Sequence, residues 1–203
     1  VPVWADSPHP ITIAAARAMA VGSTVTVEGT VTVASGTFAS SFFDEGFAIQ
    51  DRTGGIYVST ANNLNLHLRE AARVTGVLQD SSGLLVLVPA SDSDVDSRDH
   101  GRRVHSILVH TGNVGPANQG RIVTILGKVT EAIEPDPPFG SKLFVDDGSG
   151  AIRVFLNSST NIDPTRFAEG DLVLVTGFSS AFETPELDPR GNFDLEVLHR
   201  RHH

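Results

Sequence analysis

The chain has only two lysines, Lys128 and Lys142, and both fall close to Phe144, Arg153 and Phe155. Positive groups interleaved with aromatic rings suit a single strand of nucleic acid, because the charges track phosphates while the rings stack on bases. That chemistry needs the five side chains on one outward face. A pair of strands supplies such a face if Leu143, Val145, Ile152 and Val154 point inward, since alternate residues of a strand face opposite sides. Lys142, Phe144 and Asp146 then point outward from one strand, and Arg153 and Phe155 from the next, with Lys128 on the strand before. The competing reading packs the two rings against another part of the protein.

The surroundings weigh against phosphate. Residues 121–197 hold six basic and 13 acidic side chains, and Asp136, Glu183, Glu186 and Asp188 fall in the loops that flank the face. The whole chain carries a formal charge of -9, with 24 acidic and 15 basic residues, so it has no general pull towards nucleic acid or an anionic membrane. It has no cysteine, which excludes disulfides, thiolate zinc sites and a cysteine nucleophile. No apolar run approaches the roughly 20 residues that span a bilayer, so no membrane partner is expected.

What positions the face is a repeated pattern. "TVTVEGTVTV" at 24–33 has a partner in "IVTILGKVT" at 122–130, "FAIQDRTGGIYV" at 47–58 in "LFVDDGSGAIRV" at 143–154, and "LHLREAARVTG" at 66–76 in "FAEGDLVLVTG" at 167–177. Matched pieces at a nearly constant offset are the mark of a duplicated unit. In the first copy Val25, Val27, Val31 and Val33 share a face with Gly29 midway; in the second Val123, Ile125, Gly127 and Val129 keep that register. A glycine inside a strand marks a sharp bend. Asp51 and Asp147 are turn residues that accept hydrogen bonds from the following backbone, and Gly54 and Gly150 close the turns. Each copy reads as five short strands, the last being "LLVLVPA" in the first and "NFDLEVL" in the second, which points to a small closed barrel.

In this order of motifs the sequence resembles the OB-fold modules of bacterial nucleic-acid-binding proteins and of exported nucleases and related secreted multidomain proteins. The resemblance implies an all-β chain of two tandem five-stranded OB barrels, each with a short lead-in segment ("ITIAAARAMAVGS" and "SILVHTGNVGPANQGR"). The layout is a lead-in at 1–19, one barrel at 20–90, a linker and second lead-in at 91–118, the other barrel at 119–198 and a tail at 199–203. It also implies a ligand on the outer face of strands two and three, between the loops that follow strands one and four. On that face the first copy offers Ala48, Gln50, Tyr57 and Ser59, of which Tyr57 joins the candidate ligand residues. For Phe42 and Phe43, in the long loop before it, packing of at least one into the core is the favoured reading, with a second apolar anchor as the alternative.

Other chemistry is poorly supplied. Asp92, Asp94 and Asp96 open like a calcium loop, but Ser97 replaces its glycine and Arg103 its final glutamate, so a solvated acidic linker is the favoured reading. His105 and His110 lack partners at ligand spacing. There is no nucleophile elbow, no histidine pair at metal-ligand spacing and no phosphate loop. Arg153 with Asp146 and Asp147 is the one group that imitates a nuclease centre, and Asp147 belongs to a turn. The expectation is therefore a non-catalytic protein without metal or cofactor. It binds single-stranded nucleic acid weakly through Lys128, Lys142, Phe144, Arg153, Phe155 and Tyr57, or alternatively serves as a protein- or glycan-interaction module of an exported system. "VWA" before Asp6 has the ending of an export cleavage site, pointing to a secreted or periplasmic location, although a trimmed chain explains the same start.

Overall fold

Alternation builds the first wall. In β1 (Thr24–Val33) Val25, Val27 and Val31 enter a core completed by β2 (Phe47–Gln50), β3 (Gly55–Val58), β4 (Ala71–Ser81) and β5 (Leu84–Val88). The computed structural model describes residues 9–199; the "VWA" stretch and the tail beyond 199 lie outside the described residues. The helix α1 (Ile13–Arg17), capped by the Thr12 hydroxyl, closes one end of this core with Ile13 and Ala16. The next strand, β6 (Val95–Arg98), adds to the edge of β4. The second half repeats the plan with β7 (Ile107–Leu108), β8 (Ile122–Val129), β9 (Glu134–Asp136), β10 (Gly140–Asp146), β11 (Ile152–Asn157), β12 (Leu172–Phe182), β13 (Thr184–Asp188) and β14 (Leu195–His199).

Each half is a closed five-stranded barrel. The first runs β1-β2-β3-β5-β4 and closes where β4 pairs with β1; the second runs β8-β10-β11-β13-β12 and closes where β12 pairs with β8. In both, strands three and five are parallel. The chain is thus all-β with two tandem OB-fold barrels. A Cβ on Gly127 would lie 2.8 Å from Val145 Cγ1 and 2.9 Å from the Asp146 backbone, and one on Gly29 would lie 3.0 Å from the Gln50 backbone. The mid-strand glycines therefore sit where one strand bends over the next.

The repeated turn describes shape. Asp51 accepts from the Thr53 and Gly54 amides at 2.7 and 2.8 Å, and its other oxygen accepts from the Ile13 amide of the lead-in helix at 2.9 Å. Asp147 accepts from the Ser149 amide at 2.9 Å and ties to the second lead-in through Thr111 and His110 Nδ1, the latter at 2.7 Å. Burial works to raise the Asp51 carboxyl, but these donors outweigh it and hold it low. Asp147 is held well below the usual carboxylate range by the Ser149 hydroxyl first and His110 next. The aspartates thus rivet each lead-in to its barrel.

Three expectations are corrected. The fifth strand of the second barrel is β13, whereas "NFDLEVL" forms a 3-10 turn and β14 on the edge of β12; its counterpart is β6, preceded by the 3-10 turn Asp92–Asp94. Residues 95–98 therefore belong to the first sheet and not to a linker, because the 11 residues of β4 offer an edge long enough for β5 and β6 in succession. Asp92 accepts from Asn62 and Asp94 caps its own turn. Val33, expected beside Val31, is turned outward by a bulge between Val31 and Val33 and joins a third core.

That third core lies between the barrels. Val33, Phe38, Ala48, Tyr57, Leu84 and Val86 of the first barrel meet Ile122 and Phe178 of the second. The Phe178 ring centroid is 6.0 Å from that of Phe38 and 6.1 Å from that of Tyr57. Gln50 Oε1 accepts from the buried Ile122 amide at 3.0 Å, and Arg190, forked onto Asp194, donates to the Thr32 carbonyl at 2.9 Å. A Cβ on Gly55 or Gly120 would overlap the other's carbonyl oxygen, so two backbones touch where only glycine fits.

Candidate ligand groove between the barrels

The register of β10 and β11 is the one that the alternation requires. Leu143, Val145, Ile152 and Val154 are buried in the second barrel, and Lys142 pairs across the strands with Phe155 as Phe144 does with Arg153. This outer face forms one wall of a groove of about 870 Å³. The opposing wall is the long loop of the first barrel, residues 36–45. Buried Asp44 organises that loop: it accepts from the Ser40 amide and hydroxyl, from the Ser59 hydroxyl at 2.5 Å and from the Tyr57 hydroxyl at 2.7 Å. Neither Phe42 nor Phe43 enters the core as expected, because the loop that Asp44 ties down turns both rings into the open, with Phe43 79% exposed. Phe139, before β10, and Phe182, at the β12–β13 turn, supply two more exposed rings, and Phe155 completes the lining.

Not all of the expected residues meet here. Lys142, Arg153 and Phe155 line the groove, whereas Lys128 and Phe144 lie outside its lining. Lys128 is exposed on β8. Tyr57 corrects the expectation of an open platform: its ring is 1% exposed in the third core, so it has no free face for stacking. Its hydroxyl is pushed well above its ordinary pKa by burial first and the Asp44 charge second.

Among the described residues the groove holds two cations, and both are already engaged. Lys142 Nζ lies 3.2 Å from Glu134 Oε1 and 3.5 Å from Asp136 Oδ2, both placed by β9 against β10. Arg153 donates through Nε to Glu186 Oε2 at 2.8 Å and through a terminal nitrogen to the Phe182 carbonyl at 2.8 Å. Glu186 and Asp188 alternate on β13, face the groove floor and are 7% and 4% exposed. Burial raises the Glu186 carboxyl against the pull of Arg153; burial and then the Glu186 charge raise Asp188 well above the usual range. Among the described residues Asp188 Oδ1 is buried without a hydrogen-bond partner. Six carboxylates, Asp44, Glu45, Asp136, Glu183, Glu186 and Asp188, thus face Lys142 and Arg153. Phe139 and Phe182 went unread in the sequence because "DPPFG" and "AFETP" look like turns.

No family model matches the chain, and no curated protein matches it. Among solved structures, it is similar to the OBody AM1L10 bound to hen egg-white lysozyme, with 20% identity over 51% of this chain and 100% of that one and a TM-score of 0.38. It is also similar to a murine DNA binding protein bound with double-stranded DNA, with 16% identity over 88% of this chain and 98% of that one and a TM-score of 0.43. A third is the Ifi202 HINa domain in complex with a 20-base-pair double-stranded DNA, at 12% identity over 82% of this chain and 94% of that one, with a TM-score of 0.39.

Proposed function

We propose that this chain is a non-catalytic binding module whose groove takes an extended, basic segment of a protein partner. One observation carries the reading: both groove cations are bound to carboxylates, which leaves surplus negative charge beside four exposed phenylalanine rings and the half-buried Phe155. A Lys or Arg side chain gains from both features, since a cation over a ring face contributes about 0.5–2 kcal/mol. Aromatic anchors at the centre of a groove carry most of the energy of a protein interface. A phosphate chain laid along the same path meets repulsion instead.

A second reading keeps single-stranded nucleic acid on the outer face of the second barrel, favoured by the exposed ammonium of Lys128 beyond the groove. Calorimetry with a Lys- and Phe-containing peptide and with a short single-stranded oligonucleotide separates the two. The basic-segment reading expects Asp136→Asn with Glu183→Gln to weaken the peptide and strengthen any oligonucleotide binding. It also expects Phe155→Ala to weaken the peptide and Phe144→Ala to leave it unchanged. Oligonucleotide binding that falls steeply with salt and is lost in Lys128→Ala, with no peptide binding, overturns the basic-segment reading in favour of the second.

A further inference from the structure

We propose that the crevice between α1 and the second lead-in is a binding site for a phosphate-like oxyanion held jointly by Arg17 and Arg121. Arg17 stands at the end of α1 and Arg121 immediately precedes β8, so each barrel contributes one guanidinium to a crevice of about 340 Å³. Among the described residues no acidic side chain lines it. Among the described residues neither arginine forms an ion pair with a carboxylate, which is unexpected in a chain with a formal charge of -9. Two like charges placed together without a counter-charge are costly unless something offsets them.

Their contacts explain position but not charge. Arg17 donates to the Gly55 carbonyl at 3.1 Å and to Gln119 Oε1 at 3.0 Å, and Arg121 donates to the Thr53 carbonyl. A guanidinium has five N–H donors, so most donors of both groups are left for a ligand. The scaffold behind them is fixed: Gln119 accepts from the Leu85 amide at 3.2 Å and donates to the Gly83 carbonyl at 2.8 Å, and the Gly55–Gly120 contact closes the same seam. Burial and the neighbouring Arg121 both lower the Arg17 pKa, which is the electrostatic penalty that an anion would relieve. The planar forks of two arginines match a tetrahedral oxyanion, bound by paired N–H···O bonds. Because the barrels supply one arginine each, such an anion binds only the docked pair and stabilises it by linkage.

The test is thermal unfolding of the full chain in phosphate and in chloride at matched ionic strength. The proposal expects a saturable rise in Tm of about 2–4 °C that is specific to phosphate. Arg17→Gln and Arg121→Gln should each remove the phosphate increment whatever they do to the Tm in chloride, and Arg121→Lys should keep part of it. Backbone amide NMR shifts on phosphate addition should centre on residues 14–18, 53–55 and 117–121, a readout that a purely structural pair of arginines does not give. A mononucleotide 5′-phosphate, run in parallel, distinguishes a free anion from a phosphomonoester: saturation by either supports the site. No phosphate-specific increment with either probe, or one equal in the parent and both Gln variants, overturns it.

Discussion

The outer face of β2 and β3 and that of β10 and β11 come from the same repeated stretch of sequence, yet one is sealed and the other open. On the first, Ala48, Gln50 and Tyr57 are small or neutral, and the second barrel covers them: Ala48 and Tyr57 join the third core and Gln50 receives the Ile122 amide. On the second, Lys142, Phe144, Arg153 and Phe155 all stay partly exposed. Removing charged groups from water is costly unless each is paired and hydrogen-bonded, so the charged copy of the face is the one that remains at the groove. The repeat thus gives the protein two equivalent surfaces, one of which glues the barrels while the other lines the groove.

The comparison breaks most severely at Gly120. There φ is +87°, and a side chain would also overlap the Gly55 carbonyl oxygen. Gly120→Val should cost about 3 kcal/mol or more and uncover the face of β2 and β3. Urea unfolding should then show lower stability or two transitions, and protease should cut more readily between residues 98 and 103. An unchanged single transition would mean that this seam does not hold the first face shut.

A smaller effect is expected inside the barrels. Gly127→Val should cost more than about 1 kcal/mol, because its Cβ would meet Val145 and the Asp146 backbone within 2.9 Å, and Gly29→Val should cost less, with its nearest neighbour at 3.0 Å. Denaturation midpoints of the two variants compare the bends directly. Equal costs would show that the two barrel walls are equally tight.

The sequence disclosed what depends on neighbours and hid what depends on docking. The inward and outward sets of β10 and β11 were legible because period-two alternation is local, and the turn aspartates because turns restrict residue type. The burial of Tyr57 was not, since its partners Phe178 and Ile122 lie more than 60 residues away and a ring with a polar tip suits either a core or a platform. Val33 was misplaced because alternation cannot announce a bulge. The strand β13 was missed because "TPELD" carries a proline and two carboxylates, which reads as a turn, whereas "LEVLH" reads as a strand. The pairing of Arg17 with Arg121 left no trace at all, the two being 104 positions apart.

The mildest prediction separates the groove floor from the turns by the sign of their pH dependence. Asp51 and Asp147 have lowered pKa values in the fold, so the stability they contribute is present above the ordinary aspartate pKa of about 4 and is lost on acidification through their folded values. Asp188 is the reverse. Its folded state binds a proton that the unfolded chain has released, so it costs stability as pH rises from about 4 through the raised value. Asn keeps the shape of the side chain, removes the titration and gives the orphaned position an amide that needs no proton. Asp188→Asn should therefore raise stability at neutral pH by about 1 kcal/mol, the scale of one unsatisfied buried polar group, and the gain should vanish towards pH 4. Glu186→Gln should not share this gain, because it strands the Arg153 guanidinium that Glu186 holds at 2.7 Å. Urea midpoints of the three proteins from pH 3 to pH 8 decide it: a destabilised Asp188→Asn at pH 7 would mean that the Asp188 charge is compensated in the fold, and the floor would then behave as the turns do.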